Sequence, residues 1–382
     1  MLKIGVVAGE ASGDQLGASL VRTLKKHYPN CHFEGIGGPL MMAEGVHSLF
    51  AMEKLSVRGY WEVIRSLREL LSIRKQLINH FLQNPPDLFI GIDAPDFNLG
   101  VEEKLRAQGI KTIQMVAPTV WAWREGRLPL IQRAVDRLLV IFPFEKTYFA
   151  DHQVTSTYIG HPLVNQIPYP INRQEVRTLL SIGPDKTVIA LLLGSRKSEI
   201  EYHAKLFVEV AKKIKAQHSN AVFLLPFINP GLKQLFSQLV GSAVTELSLL
   251  LLDENAHRAL SAADAALVAS GTATLEAALF DCPQVVTYKL SAFTAWMVRR
   301  KKKKGFVALP NLILNEPVID EWLQESATVT NITQSLESLL SPSQQREHML
   351  MAYRRMRDLL KLDTESAMIE GIQLVLEQSH GR

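Results

Sequence analysis

The chain has 382 residues, 47% of them hydrophobic and 21% charged, with 42 Lys and Arg against 38 Asp and Glu for a formal net charge of +4. These values exclude disorder, collagen-like repetition and a small disulfide-stapled domain, and they leave room for about two domains. The cationic excess is too small to announce a nucleic-acid partner. The two cysteines, Cys31 and Cys282, are too far apart for a disulfide framework or a sulfur-rich zinc site, which fits a reducing compartment.

From Met1 the chain passes directly into an apolar run of strand length that ends at an acidic, Gly-rich loop, a start that does not read as a signal peptide. Apolar runs predict strands over residues 2–8, 32–36, 88–92, 112–116 and 137–142, then over 188–193, 221–225, 247–252, 265–269 and 284–287. Such strands, alternating with helical patterns, predict parallel sheets covered on both faces. Between the two groups lies a charge-free stretch, 152–172, punctuated by Gly160, Pro162, Pro168 and Pro170, which reads as a connector with a hinge near 160–170. The expected fold is α/β, with two Rossmann-like domains over 1–165 and 166–340 facing across a cleft. A helical segment over 341–382 is expected to pack across them. No run of about 18 apolar residues occurs, so no membrane-spanning helix is expected.

In doubly wound sheets, ligands bind beyond the carboxyl ends of the strands, so the informative loops are those that follow strands. The first, G-E-A-S-G-D at 9–14, is neither G-x-G-x-x-G nor a P-loop. It reads equally as a ligand loop at a helix start or as a turn capped by Ser12 or Asp14. G-I-D-A-P-D-F-N at 91–98 places Asp93 and Asp96 in one loop. Asp93 precedes a restricted Ala94-Pro95 pair, which suits a general base needing fixed geometry and partial desolvation; turn and cap duty is the alternative for both. P-T-V-W-A-W-R at 118–124 sets Trp121 and Trp123 at alternate positions, as packing or as a sugar-binding wall, with Arg124 at a phosphate or at the rim.

In the second half, Gly194-Ser195-Arg196 opens a helix after an apolar strand, and Gly271-Thr272 repeats the form, with Glu276 one turn into its helix. Two Gly-containing helix starts in one domain suggest a diphosphate between them, with Arg196 able to pair with it and Glu276 able to accept ribose hydroxyls; ordinary turns of an α/β domain explain either loop, but both together less well. Asn311, in L-P-N-L at 309–312, is placed to read a base or phosphate, or to cap. D-x-D, H-E-x-x-H and G-x-S-x-G are all absent and the eleven histidines are scattered, so no metal and no cofactor are expected.

Together, A-G-E-A-S-G-D, G-I-D-A-P-D-F-N, P-T-V-W-A-W-R, P-F-E-K at 143–146, G-H-P-L at 160–163, G-S-R, S-G-T-A-T-L-E and L-P-N-L stand in an order that resembles the lipid-A-disaccharide synthase family over about residues 3–375. The resemblance implies the GT-B glycosyltransferase architecture. It also implies a reaction in which UDP-2,3-diacylglucosamine and 2,3-diacylglucosamine 1-phosphate yield a β-1′,6-linked disaccharide and UDP, with inversion. On this reading Asp93 is the base, Glu10 and Ser12 line the acceptor side, and Gly194, Ser195, Arg196, Gly271, Thr272, Glu276 and Asn311 hold UDP without a metal. A homodimer exchanging carboxyl-terminal segments is implied as well. Leu193 stands where the family commonly has proline. A UDP-sugar epimerase of the same fold is the alternative, and it, a nicotinamide oxidoreductase and a non-catalytic binding protein all rank well below the transferase.

Residues 57–75 carry a broad apolar face, with Trp61, Val63, Ile64, Leu67, Leu70 and Leu71, flanked by Arg58, Arg65, Arg68, Arg74 and Lys75. A core helix buries the same stripe. Because both implied substrates carry acyl chains, the expectation is a membrane-facing helix and a peripheral protein on the cytoplasmic face of the inner membrane. The run of six cations at 299–304 reads as solvated surface or as a contact for anionic lipid or a phosphorylated substrate.

Overall fold

The computed structural model describes residues 1–55, 60–123, 125–253, 256–289 and 305–377, the side chains of 60–67 and 122–123 excepted. They form two compact units, Met1–Pro162 with Leu360–Arg382, and Leu163–Leu359.

The first unit is built on seven parallel strands in the order β3-β2-β1-β4-β5-β6-β7. They are β1 (Leu2–Ala8), β2 (Cys31–Ile36), β3 (His47–Ser48), β4 (Leu88–Ile92), β5 (Lys111–Met115), β6 (Arg137–Val140) and β7 (Ser156–Tyr158). The second has six parallel strands in the order β10-β9-β8-β11-β12-β13. These are β8 (Thr187–Leu192), β9 (Ala221–Pro226), β10 (Leu250–Leu252), β11 (Ala265–Ala269), β12 (Gln284–Tyr288) and β13 (Glu321–Leu323). The central strands are apolar along their whole length because both faces are covered: all five residues of β4 and of β11 are buried.

The helices of the first unit include α1 (Ala11–His27), α2 (Tyr60–Gln83), α3 (Pro95–Arg106) and, at the end of the chain, Thr364–Glu377. The carboxyl-terminal segment is shared between the units. Residues up to Leu359 belong to the second, whereas Ala367, Met368, Ile369, Ile372 and Val375 join the core of the first. Gly371 makes that seat possible, since a Cβ there would stand 2.7 Å from the Leu139 side chain.

The second half of α2 is a core element: Ile73, Leu77 and Phe81 are buried in the first unit. Leu70 is half-buried against the same core, while Leu71 is 45% exposed. The expectation of a membrane-facing side chain is therefore corrected at Leu70, because the helix period turns it toward the sheet. The side chains of Trp61, Val63, Ile64 and Leu67 lie outside the described residues, as do Arg124 and the cations at 299–304. Among the described residues, no helix is long and apolar enough to cross a membrane.

Candidate functional site

In each sheet the strand order reverses direction at one point, and there the loops beyond the strand ends diverge to opposite faces and leave room for a ligand. In the first unit that point lies between β1 and β4, which pair with Ala8 opposite Ile92. Glu10 and Ser12 follow the first of these ends and Asp93 the second, so two loops some eighty residues apart in sequence are brought together. Glu10 and Ser12 are exposed and Asp93 is half-buried. The Ser12 hydroxyl points at Asp93 Oδ2 across a long 3.4 Å. Gly9 permits the close approach, since a Cβ on it would sit 2.6 Å from the Ala94 Cβ.

The carboxylates of this region are not alike. Asp93 and Ala94 both adopt left-handed backbone, with φ of 52° and 40°. That conformation costs a non-glycine residue roughly 1–3 kcal/mol and persists only where the surroundings enforce it. The Asp93 N–H donates to the Met115 carbonyl at 2.9 Å, tying the turn to β5. Asp96, by contrast, is exposed and ion-paired with Arg127. Asp14 is buried and accepts from the backbone N–H groups of Gly38, Leu40 and Met41 at 2.9–3.0 Å, so it caps the next helix, 39–43, and does not cap α1.

Farther along the same sheet, Trp121 Nε1 donates to Glu145 Oε1 at 3.2 Å and the Trp121 ring meets Phe144 edge-on at 5.0 Å. Burial pushes the Glu145 carboxyl up to about 7, against the opposing pull of the Phe142, Trp121 and Ile141 N–H groups that it accepts from. His161 packs on Phe142, and its burial lowers it to about 4.

In the second unit the reversal lies between β8 and β11, which pair with Leu192 opposite Val268. Gly194, Ser195 and Arg196 follow the first of these strands, and Gly271, Thr272 and Glu276 the second. The 194–196 turn and Gly271-Thr272 are exposed. Gly271 has φ of 135° with open space where a Cβ would stand, which leaves its backbone approachable. Gly194, with φ of 109°, faces the Glu199 side chain.

Glu199 belongs to none of the sequence motifs, yet it commands this turn. Its Oε2 accepts from the N–H groups of Ser195 at 2.8 Å and Arg196 at 3.1 Å. The donors expected to meet a diphosphate are thus already held by an anionic side chain, in a capping arrangement that an E three residues after the cap signals. Arg196 itself extends into solvent, 76% exposed, with Nη1 at 3.6 Å from Glu199 Oε1. Burial raises the Glu276 carboxyl, with His257, 3.8 Å away, pulling the other way.

Asn311 requires a correction. Its side chain is buried and fully engaged within the chain: Oδ1 accepts from Val318 N at 3.0 Å and Ile319 N at 2.8 Å. Its Nδ2 donates to the Ile319 carbonyl at 2.8 Å and to Glu321 Oε1 at 2.9 Å. An amide has two donors and two acceptor sites, so none remains to orient a nucleoside. Glu321 in turn accepts from Val307 N and Ala308 N, and Thr274 Oγ1 accepts from Leu309 N while donating to the Gly271 carbonyl. The L-P-N-L segment acts as a clip beside the Gly271 turn. Among the described residues, no group of three or more His, Cys, Asp or Glu side chains is placed to hold a metal.

Some known proteins share much of this sequence, and others share its fold. The Lipid-A-disaccharide synthetase family model matches residues 4–372. The lipid-A-disaccharide synthase of Pasteurella multocida is 43% identical over 98% of this chain and 97% of its own, and that of Francisella philomiragia 41% over 99% and 100%. Among solved structures, a Staphylococcus aureus MnaA–UDP complex superposes with a TM-score of 0.66 at 12% identity, covering 99% of this chain and 97% of that one. A Neisseria meningitidis UDP-GlcNAc 2-epimerase gives 0.65 at 11%, covering 99% and 100%, and a Rickettsia africae glycosyltransferase 0.59 at 12%, covering 100% and 99%. At such identities the solved structures establish the fold alone, which is the GT-B architecture.

Proposed function

The chain belongs to the lipid-A-disaccharide synthase family, and from that premise we propose how its loops divide the work of the reaction. It is a glycosyltransferase. It moves 2,3-diacylglucosamine from UDP to the 6-hydroxyl of 2,3-diacylglucosamine 1-phosphate and releases UDP. The family match over residues 4–372 carries this assignment.

An α-linked donor giving a β product requires a single in-line displacement. Asp93 takes the proton of the acceptor 6-hydroxyl as the new bond forms, and Glu10 and Ser12, which leave the neighbouring strand end, line the acceptor side. Charge gathers on the departing diphosphate. Arg196 and the approachable Gly271-Thr272 backbone answer it, an electrostatic arrangement able to replace a metal. Binding at the 194–196 turn requires Glu199 to yield the Ser195 and Arg196 N–H groups. Glu276 accepts from ribose hydroxyls.

Both substrates carry acyl chains, which supports a peripheral association with the cytoplasmic face of the inner membrane through the first half of α2 and Leu71. The protein acts as a homodimer. A dimer that trades the last helix has to withdraw Ile372 and Val375 from the core they occupy here. Incubation with UDP-2,3-diacylglucosamine alone, and with the acceptor added, tests the activity by mass spectrometry. UDP and disaccharide in equal amounts, only when acceptor is present, are expected. An isomerised donor, or UDP released without acceptor, favours the epimerase alternative.

A further inference from the structure

Beneath the Asp93 turn lies a set of polar side chains with no part in the proton transfer or in UDP binding. β4 and β5 pair with Gly91 opposite Gln114, and α3 brings Asn98 and Glu102, one helical turn apart, to the same spot. Gly91 makes the room: a Cβ there would stand 2.3 Å from Glu102 Oε1, 2.6 Å from Gln114 Oε1 and 2.8 Å from the Asn98 Cβ. Asn98, Glu102 and Gln114 are all fully buried.

Gln114 Nε2 donates to the carbonyls of Asp93 at 2.9 Å, Met115 at 3.1 Å and Val116 at 3.1 Å. Asn98 Nδ2 donates to the Asp93 carbonyl at 2.9 Å, with the Val7 and Ile92 carbonyls at 3.3 and 3.5 Å. These carbonyls fix both amide orientations, nitrogen toward the loop and oxygen away from it. On the other side, Asn98 Oδ1 and Gln114 Oε1 are buried without a hydrogen-bond partner, and the Glu102 carboxyl is met by no side-chain donor, only by the Gly91 backbone N–H. Burial holds the Glu102 carboxyl well above the ordinary carboxylate range, with the Gly91 N–H pulling the other way. A protonated Glu102 would bring a donor to the space beside Gly91 that Gln114 Oε1 shares.

We propose that Asn98, Gln114 and Glu102 are positioning residues for the transfer: the two amides grip the Asp93 carbonyl and so hold the left-handed turn that aims its carboxylate, and Glu102 steadies the amides from behind. This rests on Asp93 being the base. Without the grip, a non-glycine residue at φ 52° relaxes toward ordinary backbone and carries its carboxylate out of hydrogen-bond reach of the acceptor.

The test is steady-state kinetics on the full chain with both acylated substrates, for Gln114→Met, Asn98→Ser, Glu102→Met and Glu102→Gln, each alone and combined with Asp93→Asn. A misplaced catalytic group costs on the order of 10–100-fold, so Gln114→Met and Asn98→Ser are expected to lower kcat by that much with donor KM changed less than about 2-fold. Glu102→Met falls likewise, whereas Glu102→Gln, neutral and still able to donate, restores most of the rate. Because these residues act through Asp93, adding Gln114→Met to Asp93→Asn costs nothing further. Each single amide variant leaves the Asp93 carbonyl one donor, so the fold survives and kcat carries the answer. Folded amide variants with wild-type kcat, or losses that multiply undiminished in the Asp93→Asn background, overturn the proposal. Asp93→Asn with wild-type turnover overturns the base itself and is told apart by that single variant.

Discussion

Replacing Asn311 by alanine separates two readings of one residue. If the amide oriented the nucleoside, Asn311→Ala would weaken UDP binding and leave the protein stable. The structure requires the reverse. Truncation orphans the N–H of Ile319, leaves that of Val318 with the Glu316 carbonyl alone, and removes the donor to the Ile319 carbonyl, at a site 1% exposed. A buried donor left unsatisfied costs about 1–3 kcal/mol. The groups are neighbours and their losses do not add fully, so about 2–4 kcal/mol is expected, a large part of the stability of a domain. The loss falls on the second unit, so the assay is urea unfolding followed by amide exchange, with Val318 and Ile319 as local reporters. They should exchange faster in the variant, while UDP affinity of the folded fraction changes by no more than ~3-fold. An Asn311→Ala protein that unfolds at the wild-type urea concentration but binds UDP poorly would refute this account of the residue.

The other groups carry their own expected outcomes. Glu145 holds its proton to about pH 7 in the folded chain but only to about 4.5 when unfolded, so folding retains a proton the unfolded chain has released. Stability should fall by roughly 3 kcal/mol as pH rises through that window, and Glu145→Gln should remove this slope in thermal melts taken from pH 4 to 8. Arg196→Ala should weaken UDP binding by about 1.5–3 kcal/mol by calorimetry, the share of a charge-assisted contact, while wild-type turnover survives a strong chelator; activity lost to the chelator and restored by Mg²⁺ contradicts this. Serine at Val63, Ile64, Leu67 and Leu71, with Leu70 kept because it packs on the core, should reduce sedimentation with anionic vesicles and leave the melting temperature unchanged; a protein that instead unfolds places these side chains in the core.

The central strands were legible because a strand buried on both faces must be continuously apolar, and residues 2–8, 88–92 and 265–269 match what forms. Three of the four edge strands were not. β3, β7 and β13 are two or three residues long and none is fully buried, so no apolar run marks them. The run at 247–252 begins its strand only at Leu250, because Leu247 ends the preceding helix at its cap. The loops after β1, β4, β8 and β11 stood out through their glycines and charges, and topology brings them together in pairs. Hidden from the sequence was which polar side chains face inward. Asn311 reads as a ligand group and proves to be a clip, while Glu199, Asn98, Glu102 and Gln114 look like ordinary helix and strand residues. Their roles depend on partners up to some tens of residues away, which periodicity does not register.

Asp93 as the acceptor base is tested most directly by Asp93→Asn, with single-turnover rates measured beside UDP affinity. The variant keeps the shape of the side chain and loses its basicity. Turnover should fall by about 10²–10⁴-fold with UDP affinity nearly unchanged, since the proton moves only in the transition state. Near-normal turnover in Asp93→Asn, with a collapse in Asp96→Asn, would move the base to the exposed carboxylate paired with Arg127 and contradict the account.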